Sequence, residues 1–196
     1  MPQRGSGAHP HRFSAEGDFI ERLEGPERSA LIPREAILPR MRLEKSHTLV
    51  DLGSGIGYFS IPISSLVKRV VAVDLEPKMH EVLAARIRER SLRNIDLLRA
   101  QITALPILDS SVEHVLAAFV YHEVDSPRDL MAEGARILRT RSAMTVIDFQ
   151  KRETSIGPPV SERKTPDQIR RSAPRSLTLR SIFETDVFYM LRFAKS

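Results

Sequence analysis

The residues of this sequence that could do chemistry gather around the segment TLVDLGSGIGYFS, residues 48–60. Gly53, Gly55 and Gly57 alternate there, and glycine is needed where a Cβ would keep a ligand away from the backbone. Asp74 lies 21 residues after Gly53, at the end of the apolar run VVAVD. A carboxylate at that spacing can accept hydrogen bonds from both hydroxyls of a ribose. The pattern therefore predicts a nucleoside site, the alternative being a structural turn followed by an unrelated aspartate.

Two details of the loop separate a dinucleotide from a sulfonium ligand. The dinucleotide fingerprint is G-x-G-x-x-G, whereas this loop reads G-x-G-x-G and has Tyr58 at the position of the third glycine. Asp51, two residues before the first glycine, would repel a pyrophosphate but suits a cationic amino acid or a sulfonium. The charge of the loop thus favours S-adenosylmethionine over NAD, and an NAD dehydrogenase is the least favoured hypothesis.

A loop of this kind needs a strand before it and a helix after it, and the hydrophobic pattern supplies such pairs repeatedly. We predict strands at 48–52, 70–74, 95–100, 113–119 and 143–150, and helices at 58–67, 77–92 and 126–139, the last capped by Ser126. Strands and helices that alternate in this way form right-handed crossovers and a parallel, doubly wound sheet.

The pattern changes in the last quarter of the chain. The apolar segments 177–183 and 186–195 are two residues apart, and strands so close must be antiparallel because a parallel pair needs a long crossover. We therefore expect an α/β fold with a doubly wound, mostly parallel seven-stranded sheet, helices on both faces, and an antiparallel C-terminal hairpin at one edge. The other predictions are helices at 14–24, 33–43 and 161–171, a helix stop at Gly25-Pro26, and an unstructured polar tail over 1–12.

Composition limits the classes of function. The length of 196 residues suits one domain, and the lack of cysteine excludes disulfides, thiol nucleophiles and thiolate metal sites. His80, His114 and His122 do not have metal-ligand spacing with carboxylates, so no metal is expected. Because neither a signal peptide nor an apolar run of about 18 residues is visible, we expect a soluble, cytoplasmic protein without a membrane partner.

The net charge of +5 comes from the C-terminal quarter, because residues 150–196 hold ten basic and five acidic side chains. A basic region of this kind could face nucleic acid or an anionic substrate. The arginines are scattered, however, and no aromatic residues alternate with them. A solvated surface is therefore the favoured explanation, and RNA binding stays open as an alternative.

Beyond the glycine loop, the order of the motifs is informative. The segments VDLGSGIGYFS, VVAVDLEPKM and LPILDSSVEHVLAAFVYHEV, followed by LMAEGARIL, stand at positions 50–138. They resemble the successive motifs of class I S-adenosylmethionine-dependent methyltransferases, in the small-molecule branch related to the ubiquinone and menaquinone biosynthesis methyltransferases. The resemblance is good over residues 47–149. It implies a Rossmann-like methyltransferase domain over 47–196, and we expect an N-terminal tail and helical lid over 1–46. Phe13 would close over the cofactor if the N-terminal helix acts as a lid, and core packing is the default alternative.

By position, the resemblance implies a set of residues around S-adenosylmethionine. Asp51 would hold the methionine end, and Asp74 would bind the ribose hydroxyls. Gln101 replaces an aspartate that receives the adenine amino group, so its amide oxygen would accept that bond without charge assistance. Phe119 marks where the sulfonium and the methyl acceptor would meet. The other members are Gly53, Ser54 and Gly55 under the methionine end, Leu75 and Met79 on the adenine, and the Ile102 N–H toward the ring. Gly57 of the same loop is also counted as cofactor-binding, and Tyr58 after it either lines the methyl site or packs in the core, which is the default.

The acceptor side is less well defined. Methyl transfer from a sulfonium is a direct displacement, so a general base is needed only when the acceptor must lose a proton. Candidates after the fourth strand are Tyr121 and His122, and an imidazole titrates near neutral pH. The structural alternative is a capped loop in which His122 orients backbone groups.

One departure from the family pattern concerns a turn. The family usually places glycines between the helix after the fourth strand and the fifth strand, whereas this chain reads Arg-Thr-Arg-Ser at 139–142. The residues therefore specify that turn less well.

Taken together, these patterns predict a methyltransferase that acts on a small molecule and releases S-adenosylhomocysteine, as a monomer or a homodimer. An RNA methyltransferase that uses the basic C-terminal region is one alternative. A non-catalytic domain that binds the cofactor and serves as a partner subunit is the other.

Overall fold

The computed structural model describes residues 23–196. The predicted tail over 1–12, most of the helix over 14–24, and the lid residue Phe13 lie outside this range. The strands are β1 (Thr48–Leu52), β2 (Arg69–Asp74), β3 (Ile95–Arg99), β4 (Val112–Ala118), β5 (Leu138–Phe149), β6 (Leu177–Glu184) and β7 (Phe188–Lys195). The helices are α1 (Pro26–Leu31), α2 (Arg34–Met41), α3 (Ser60–Ser64), α4 (Pro77–Glu89), α5 (Pro127–Ile137) and α6 (Pro166–Ser172), with a 3₁₀ turn at Tyr121–Glu123.

All seven strands form one sheet in the order β3-β2-β1-β4-β5-β7-β6. The first five strands are parallel to one another, and β7 is antiparallel to both β5 and β6. This confirms the predicted doubly wound sheet and its antiparallel hairpin at one edge. The chain order reverses at β1, between β2 and β4, and in open α/β sheets ligands bind outside the carboxyl ends of the strands at such a switch point.

The register places the carboxyl ends of the central strands side by side. Asp51 in β1 pairs with Ala72 of β2 on one side and with Leu116 of β4 on the other. The loop after β1 continues this alignment, because the Ser54 amide donates a 2.9 Å hydrogen bond to the Val73 carbonyl. The exits of β1, β2 and β4 therefore meet at one edge of the sheet.

Helices cover both faces of the sheet and bury two apolar clusters. Leu130 of α5 and Ile169 of α6 pack in one cluster. Ile37 of α2, Ile63 of α3 and Leu83 of α4 pack in the other. Two-sided burial explains why the central strands read as nearly continuous apolar runs.

Gly25-Pro26 marks the start of a helix in the structure, whereas the helix over 14–24 that it was predicted to stop lies almost entirely outside the described residues. Pro26 is the first residue of α1, a helix position where the missing proline N–H is no loss, and Gly25 precedes it as the N-cap. The same dipeptide is typical of a stop and of a start, and the neighbouring sequence did not separate the two.

Several predicted helices are shorter in the structure, and two of them markedly so. The helix predicted over 58–67 is only α3, because the Ser64 and Ser65 hydroxyls donate to the carbonyls of Ile61 and Pro62 and compete with a further helical turn. The helix predicted over 161–171 begins at Pro166, since Thr165 and Gln168 form a reciprocal capping box. Ser126 precedes α5 as predicted but makes no side-chain cap hydrogen bond.

The segment 139–142 is part of a strand rather than a turn. Leu138 already pairs with Val112, and the next pair is Ala143 with His114, so four residues of β5 oppose one residue of β4. This bulge takes up the direction change that glycines provide elsewhere, and Arg141 adopts a left-handed φ of 67° within it. Among residues 23–196, no helix is long and apolar enough to cross a membrane.

Candidate active site

The three glycines of the loop after β1 all have left-handed φ values, at 68° for Gly53, 51° for Gly55 and 87° for Gly57. A Cβ on Gly53 would lie 2.5 Å from Val120 Cγ2, and one on Gly57 would lie 2.4 Å from Leu83 Cδ1. A Cβ on Gly55 would meet no atom within 4 Å. The outer glycines therefore permit close packing inside the protein. Of the three, Gly55 alone borders open space, which we call the cradle.

Asp74 is half-buried at the end of β2 and is held by the backbone. Its Oδ2 accepts a 2.8 Å hydrogen bond from the Gly55 amide, and its Oδ1 accepts a 2.9 Å bond from the Glu76 amide. Each carboxylate oxygen keeps a second lone pair for a ribose hydroxyl. The structure thus brings the predicted ribose ligand to the middle of the glycine loop.

Asp51 is 2% exposed at the end of β1. Its Oδ2 accepts a 2.6 Å hydrogen bond from the Ser60 hydroxyl. Burial raises the pKa of Asp51 to about 7, an effect that the Ser60 bond opposes and the nearby negative charge of Asp74 reinforces. A buried carboxylate of this kind is best compensated by a cation, as the sulfonium and ammonium groups of S-adenosylmethionine would provide.

A second polar atom of the loop has no partner in the protein. The Ser54 hydroxyl is buried and makes no hydrogen bond, which is costly unless a ligand supplies one. The open cradle at Gly55, this unpaired hydroxyl and the carboxylates of Asp51 and Asp74 together fit the methionine and ribose parts of S-adenosylmethionine.

The predicted adenine residues differ in exposure. Met79 in α4 is 4% exposed, whereas Leu75 is 49% exposed directly after β2. Gln101 is exposed and Ile102 is half-buried at the exit of β3. The Arg99 Nε–H donates a 3.2 Å bond to the Leu75 carbonyl, which ties the exits of β2 and β3 together. An exposed leucine beside these strand ends offers an apolar surface to a flat base.

Phe119 leaves β4 with a strained backbone. Its φ is 56°, a left-handed value that is costly for a bulky residue, and its amide donates a 2.7 Å bond to the Ile147 carbonyl. The Phe119 ring centroid lies 4.7 Å from that of Phe149 and 6.4 Å from that of Phe59 in a stacked arrangement. The strain therefore directs an aromatic side chain into a cluster beside the glycine loop.

Arg28 of α1 reaches the same cluster. Its guanidinium carbon lies 5.2 Å from the ring centroids of both Tyr58 and Phe119. The Arg28 Nε is buried without a hydrogen bond, and burial lowers the pKa of this guanidinium. The Tyr58 hydroxyl also donates a 2.8 Å bond to the Ile32 carbonyl, which ties the C-terminal end of α1 to the loop after β1. Sequence reasoning missed Arg28, since nothing local distinguishes it from a surface arginine.

His122 forms a buried pair with Asp148 at the exits of β4 and β5. The His122 Nδ1 lies 2.8 Å from Asp148 Oδ1, and the two side chains are 6% and 0% exposed. Burial lowers the pKa of His122, but the charges of Asp148, Glu123 and Glu162 and the Asp148 hydrogen bond outweigh it and raise the pKa overall. Sequence analysis missed Asp148, whose only signal was an acid near the end of an apolar strand.

Tyr121, the other predicted catalytic residue, is oriented differently. Its hydroxyl shares a hydrogen bond with the Ser172 hydroxyl of α6, and its ring packs in the cluster that contains Ile169 and Leu177. Burial raises the pKa of the Tyr121 phenol. The structure therefore places the Tyr121 side chain against α6 and not in the cluster of Phe119. Among residues 23–196, no group of three or more histidine and carboxylate side chains could hold a metal ion.

Comparison with known proteins agrees with this geometry. Residues 50–146 match a family model described as a methyltransferase domain. The uncharacterized methyltransferase YcgJ of Bacillus subtilis is 24% identical over 110 residues, which cover 56% of this chain and 44% of YcgJ. A demethylmenaquinone methyltransferase of Listeria monocytogenes is 24% identical over 118 residues, 59% of this chain and 50% of that protein. The chain thus spans about half the length of these curated relatives.

A solved structure extends the likeness to most of the chain. A SAM-dependent methyltransferase from Aquifex aeolicus has a TM-score of 0.82 at 21% identity, covering 91% of this chain and 98% of that one. The strand order and the glycine loop define the Rossmann-like fold of class I methyltransferases. Residues 50–146 thus match a methyltransferase domain, and the fold around them is the Rossmann-like methyltransferase fold that the motifs predicted.

Proposed function

We propose that the chain binds S-adenosylmethionine in the loop after β1 and transfers the methyl group to a small-molecule acceptor beside Phe119, leaving S-adenosylhomocysteine. The observation that carries this proposal is the cradle at Gly55, which is open, lies against the ribose ligand Asp74 and contains the unpaired Ser54 hydroxyl. The proposal includes a cytoplasmic location, because the cytoplasm holds the methyl donor.

The side chains divide the work of binding. Asp74 would accept from the ribose hydroxyls, Asp51 would balance the positive charge of the methionine end, and Leu75 would pack on the adenine. When bound, the cofactor supplies a methyl group activated by its sulfonium. The protein contributes alignment and exclusion of water, and the buried rings of Phe119 and Phe149 form a wall suited to both.

A calorimetric titration tests cofactor binding. Wild-type protein should bind S-adenosylmethionine and S-adenosylhomocysteine, and Asp74→Ala should weaken both by tenfold or more, since hydrogen bonds to a charged group are worth about 1.5–3 kcal/mol. Asp96→Ala is the matched control, because Asp96 pairs with Arg69 at the opposite end of β2. Absence of binding, or equal affinities for the wild type and Asp74→Ala, would contradict the proposal.

The structure weakens the argument for RNA as the acceptor. Several basic side chains of the C-terminal quarter bond to the chain's own carbonyls, among them Arg163 with Gln150, Arg192 with Met41 and Lys195 with Leu138. These cationic groups stabilise the fold and are less available to bind RNA phosphates. RNA binding that weakens steeply with salt would restore the RNA hypothesis. Cofactor binding without turnover of any acceptor would favour a non-catalytic partner subunit.

A further inference from the structure

We propose that the methyl acceptor is a neutral aromatic hydroxyl compound and that His122 takes up the proton which its hydroxyl loses. Asp148 positions His122 for this task. This inference deepens the proposed function and rests on it. It stands on three observations: the buried imidazole–carboxylate pair, the aromatic rings beside it, and the carboxylates around it.

The pair is built by the sheet itself. Ala118 of β4 is in register with Ile147 of β5, so the residues that follow these two strands emerge side by side. His122 is reached through the 3₁₀ turn, and Asp148 is the next residue of β5. The Phe149 amide donates a second 2.8 Å bond to Asp148 Oδ1, which fixes the carboxylate. A positioned carboxylate at Nδ1 is the arrangement that orients a catalytic imidazole.

This contact determines which nitrogen of the ring can accept a proton. A carboxylate accepts hydrogen bonds, so the 2.8 Å contact with Asp148 Oδ1 places the proton of the neutral ring on Nδ1. The lone pair then lies on Nε2. That atom is 3.7 Å from Glu123 Oε1. His122 therefore presents a proton acceptor that Asp148 holds in orientation.

The rings beside His122 indicate the shape of the acceptor. The His122 ring centroid lies 5.9 Å from that of Phe149, which in turn lies 4.7 Å from that of Phe119. Phe119 is the residue at which the proposed function places methyl transfer. A flat aromatic acceptor can stack on such rings, with its hydroxyl directed to the imidazole.

The charges around His122 indicate that the acceptor arrives neutral. The carboxylates of Asp148, Glu123 and Glu162 all act on the imidazole, and Asp74 acts on Glu123. This negative surrounding disfavours an acceptor that is already an anion and stabilises the imidazolium formed after proton transfer. A neutral hydroxyl that loses its proton within the site meets both conditions.

The step balances without a further reactant. The O–H proton of the acceptor moves to His122 Nε2 while the oxygen forms a bond to the methyl carbon. The carbon–sulfur bond breaks, and its electron pair stays on the sulfur of S-adenosylhomocysteine. The imidazolium then gives its proton to water.

The first test measures the pair without any acceptor. The pKa of each histidine can be followed by NMR of the imidazole C–H signals in the full chain. Asp148→Asn should lower the pKa of His122 by about one unit or more, because a charged partner is lost. His47, which faces Glu44 at 3.7 Å ahead of β1, is the internal control and should not shift. An unchanged His122 pKa in folded Asp148→Asn would overturn the positioning role.

The second test uses phenols of graded acidity as probes, with S-adenosylhomocysteine formation as the readout. His122→Gln should lose about 100-fold or more in kcat/KM on weakly acidic phenols, the usual contribution of a general base. On 4-nitrophenol, which is already largely ionised at slightly alkaline pH, the loss should be only a few-fold. His47→Gln should behave as wild type on every phenol.

The outcomes separate the two proposals. Equal losses on all phenols would overturn the role of His122 as proton acceptor. Turnover of amines or thiols but of no phenol would overturn the acceptor class and leave the proposed function standing. Failure of the wild type to bind S-adenosylmethionine would instead contradict the proposed function itself.

Discussion

Asp74 Oδ2 accepts a 2.8 Å hydrogen bond from the Gly55 amide, so the acid that ends β2 is joined directly to the middle of the loop after β1. The proposed ribose site and the proposed cradle for the methionine end are therefore one unit, formed by two neighbouring parallel strands. Because the Glu76 amide holds the other oxygen, the carboxylate is oriented before any ligand arrives. Preorganisation of this kind reduces the entropy lost on binding.

Alanine at two of the loop glycines should lower stability in both cases, but for different reasons and with different effects on binding. Gly53→Ala places a Cβ 2.5 Å from Val120 Cγ2, and overpacking of this kind costs about 1–3 kcal/mol in free energy of unfolding. Gly55→Ala meets no atom within 4 Å, so only its left-handed backbone penalty of about 1–2 kcal/mol remains. The added methyl group of Gly55→Ala lies in the proposed cradle, however, and should weaken S-adenosylhomocysteine binding by tenfold or more.

Urea denaturation and calorimetry on both variants check this prediction. Wild-type affinity in Gly55→Ala would show that the ligand does not occupy the space above Gly55. A Gly53→Ala variant as stable as the wild type would mean that Val120 moves away at no cost.

The raised pKa of Asp51 should make stability fall as pH rises. The folded chain releases this proton near pH 7, whereas an unfolded aspartate releases it near its ordinary pKa of about 3.9. Between these values the folded state holds the extra proton, so the free energy of unfolding decreases with increasing pH, by up to about 1.4 kcal/mol for each pH unit. Asp51→Asn should remove this part of the slope, as measured by urea denaturation from pH 4.5 to 8.

The same proton should be coupled to cofactor binding. A cationic ligand favours ionised Asp51, so the affinity for S-adenosylmethionine should rise up to about tenfold from pH 6 to pH 8. The affinity of Asp51→Asn should not change with pH. Glu123 also has a raised pKa, and Glu123→Gln should keep the pH dependence of the wild type. If the pH dependence of binding were lost in Glu123→Gln and kept in Asp51→Asn, Glu123 and not Asp51 would be the carboxylate responsible for it.

Arg163 should be essential for the segment that follows β5. Its guanidinium is 2% exposed and donates to the carbonyls of Pro158 at 2.7 Å and Arg152 at 2.7 Å, and to the Thr154 hydroxyl at 2.7 Å. Lysine cannot reproduce this fork, so Arg163→Lys should lose about 2–4 kcal/mol in free energy of unfolding. The half-exposed Arg152→Lys is the control and should change stability by less than about 1 kcal/mol. Equal effects in the two variants would contradict the structural role.

The bulge in β5 provides a stabilising substitution. Arg141 has a φ of 67°, which costs a non-glycine residue about 1–2 kcal/mol. Arg141→Gly relieves this strain and should raise the free energy of unfolding by up to about 1 kcal/mol, after the entropic cost of glycine. Arg139→Gly, in the same segment but paired with Glu113 at 3.0 Å, should lower it. A decrease in both variants would show that the Arg141 side chain contributes more than its strain costs.

The sequence was sufficient for the features that depend on local spacing. The alternation of strands and helices, the glycine loop and Asp74 could all be predicted, because each follows from the type of residue and its distance along the chain. The terminal hairpin could be predicted as well, since two strands so close in sequence allow only one pairing.

The residues that sequence reasoning missed depend on register between distant segments. Asp148 meets His122 only because β4 and β5 are aligned through a bulge of four residues. Arg28 contacts the aromatic cluster only because α1, which begins at Pro26, packs against the loop after β1. Nothing within a few residues of either position encodes these contacts, so composition and periodicity could not reveal them.

The position of β7 has a consequence for biosynthesis. This strand is the last of the seven in chain order, yet it lies between β5 and β6 and pairs with both. The ribosome must therefore synthesise residues 188–195 before β5 can pair with β7. Until then, the backbone groups on the edge of β5 that faces away from β4 are open to pairing with other chains. The order of synthesis thus postpones closure of the sheet to its final strand, and a nascent chain that pauses before residue 188 would be the form most exposed to aggregation.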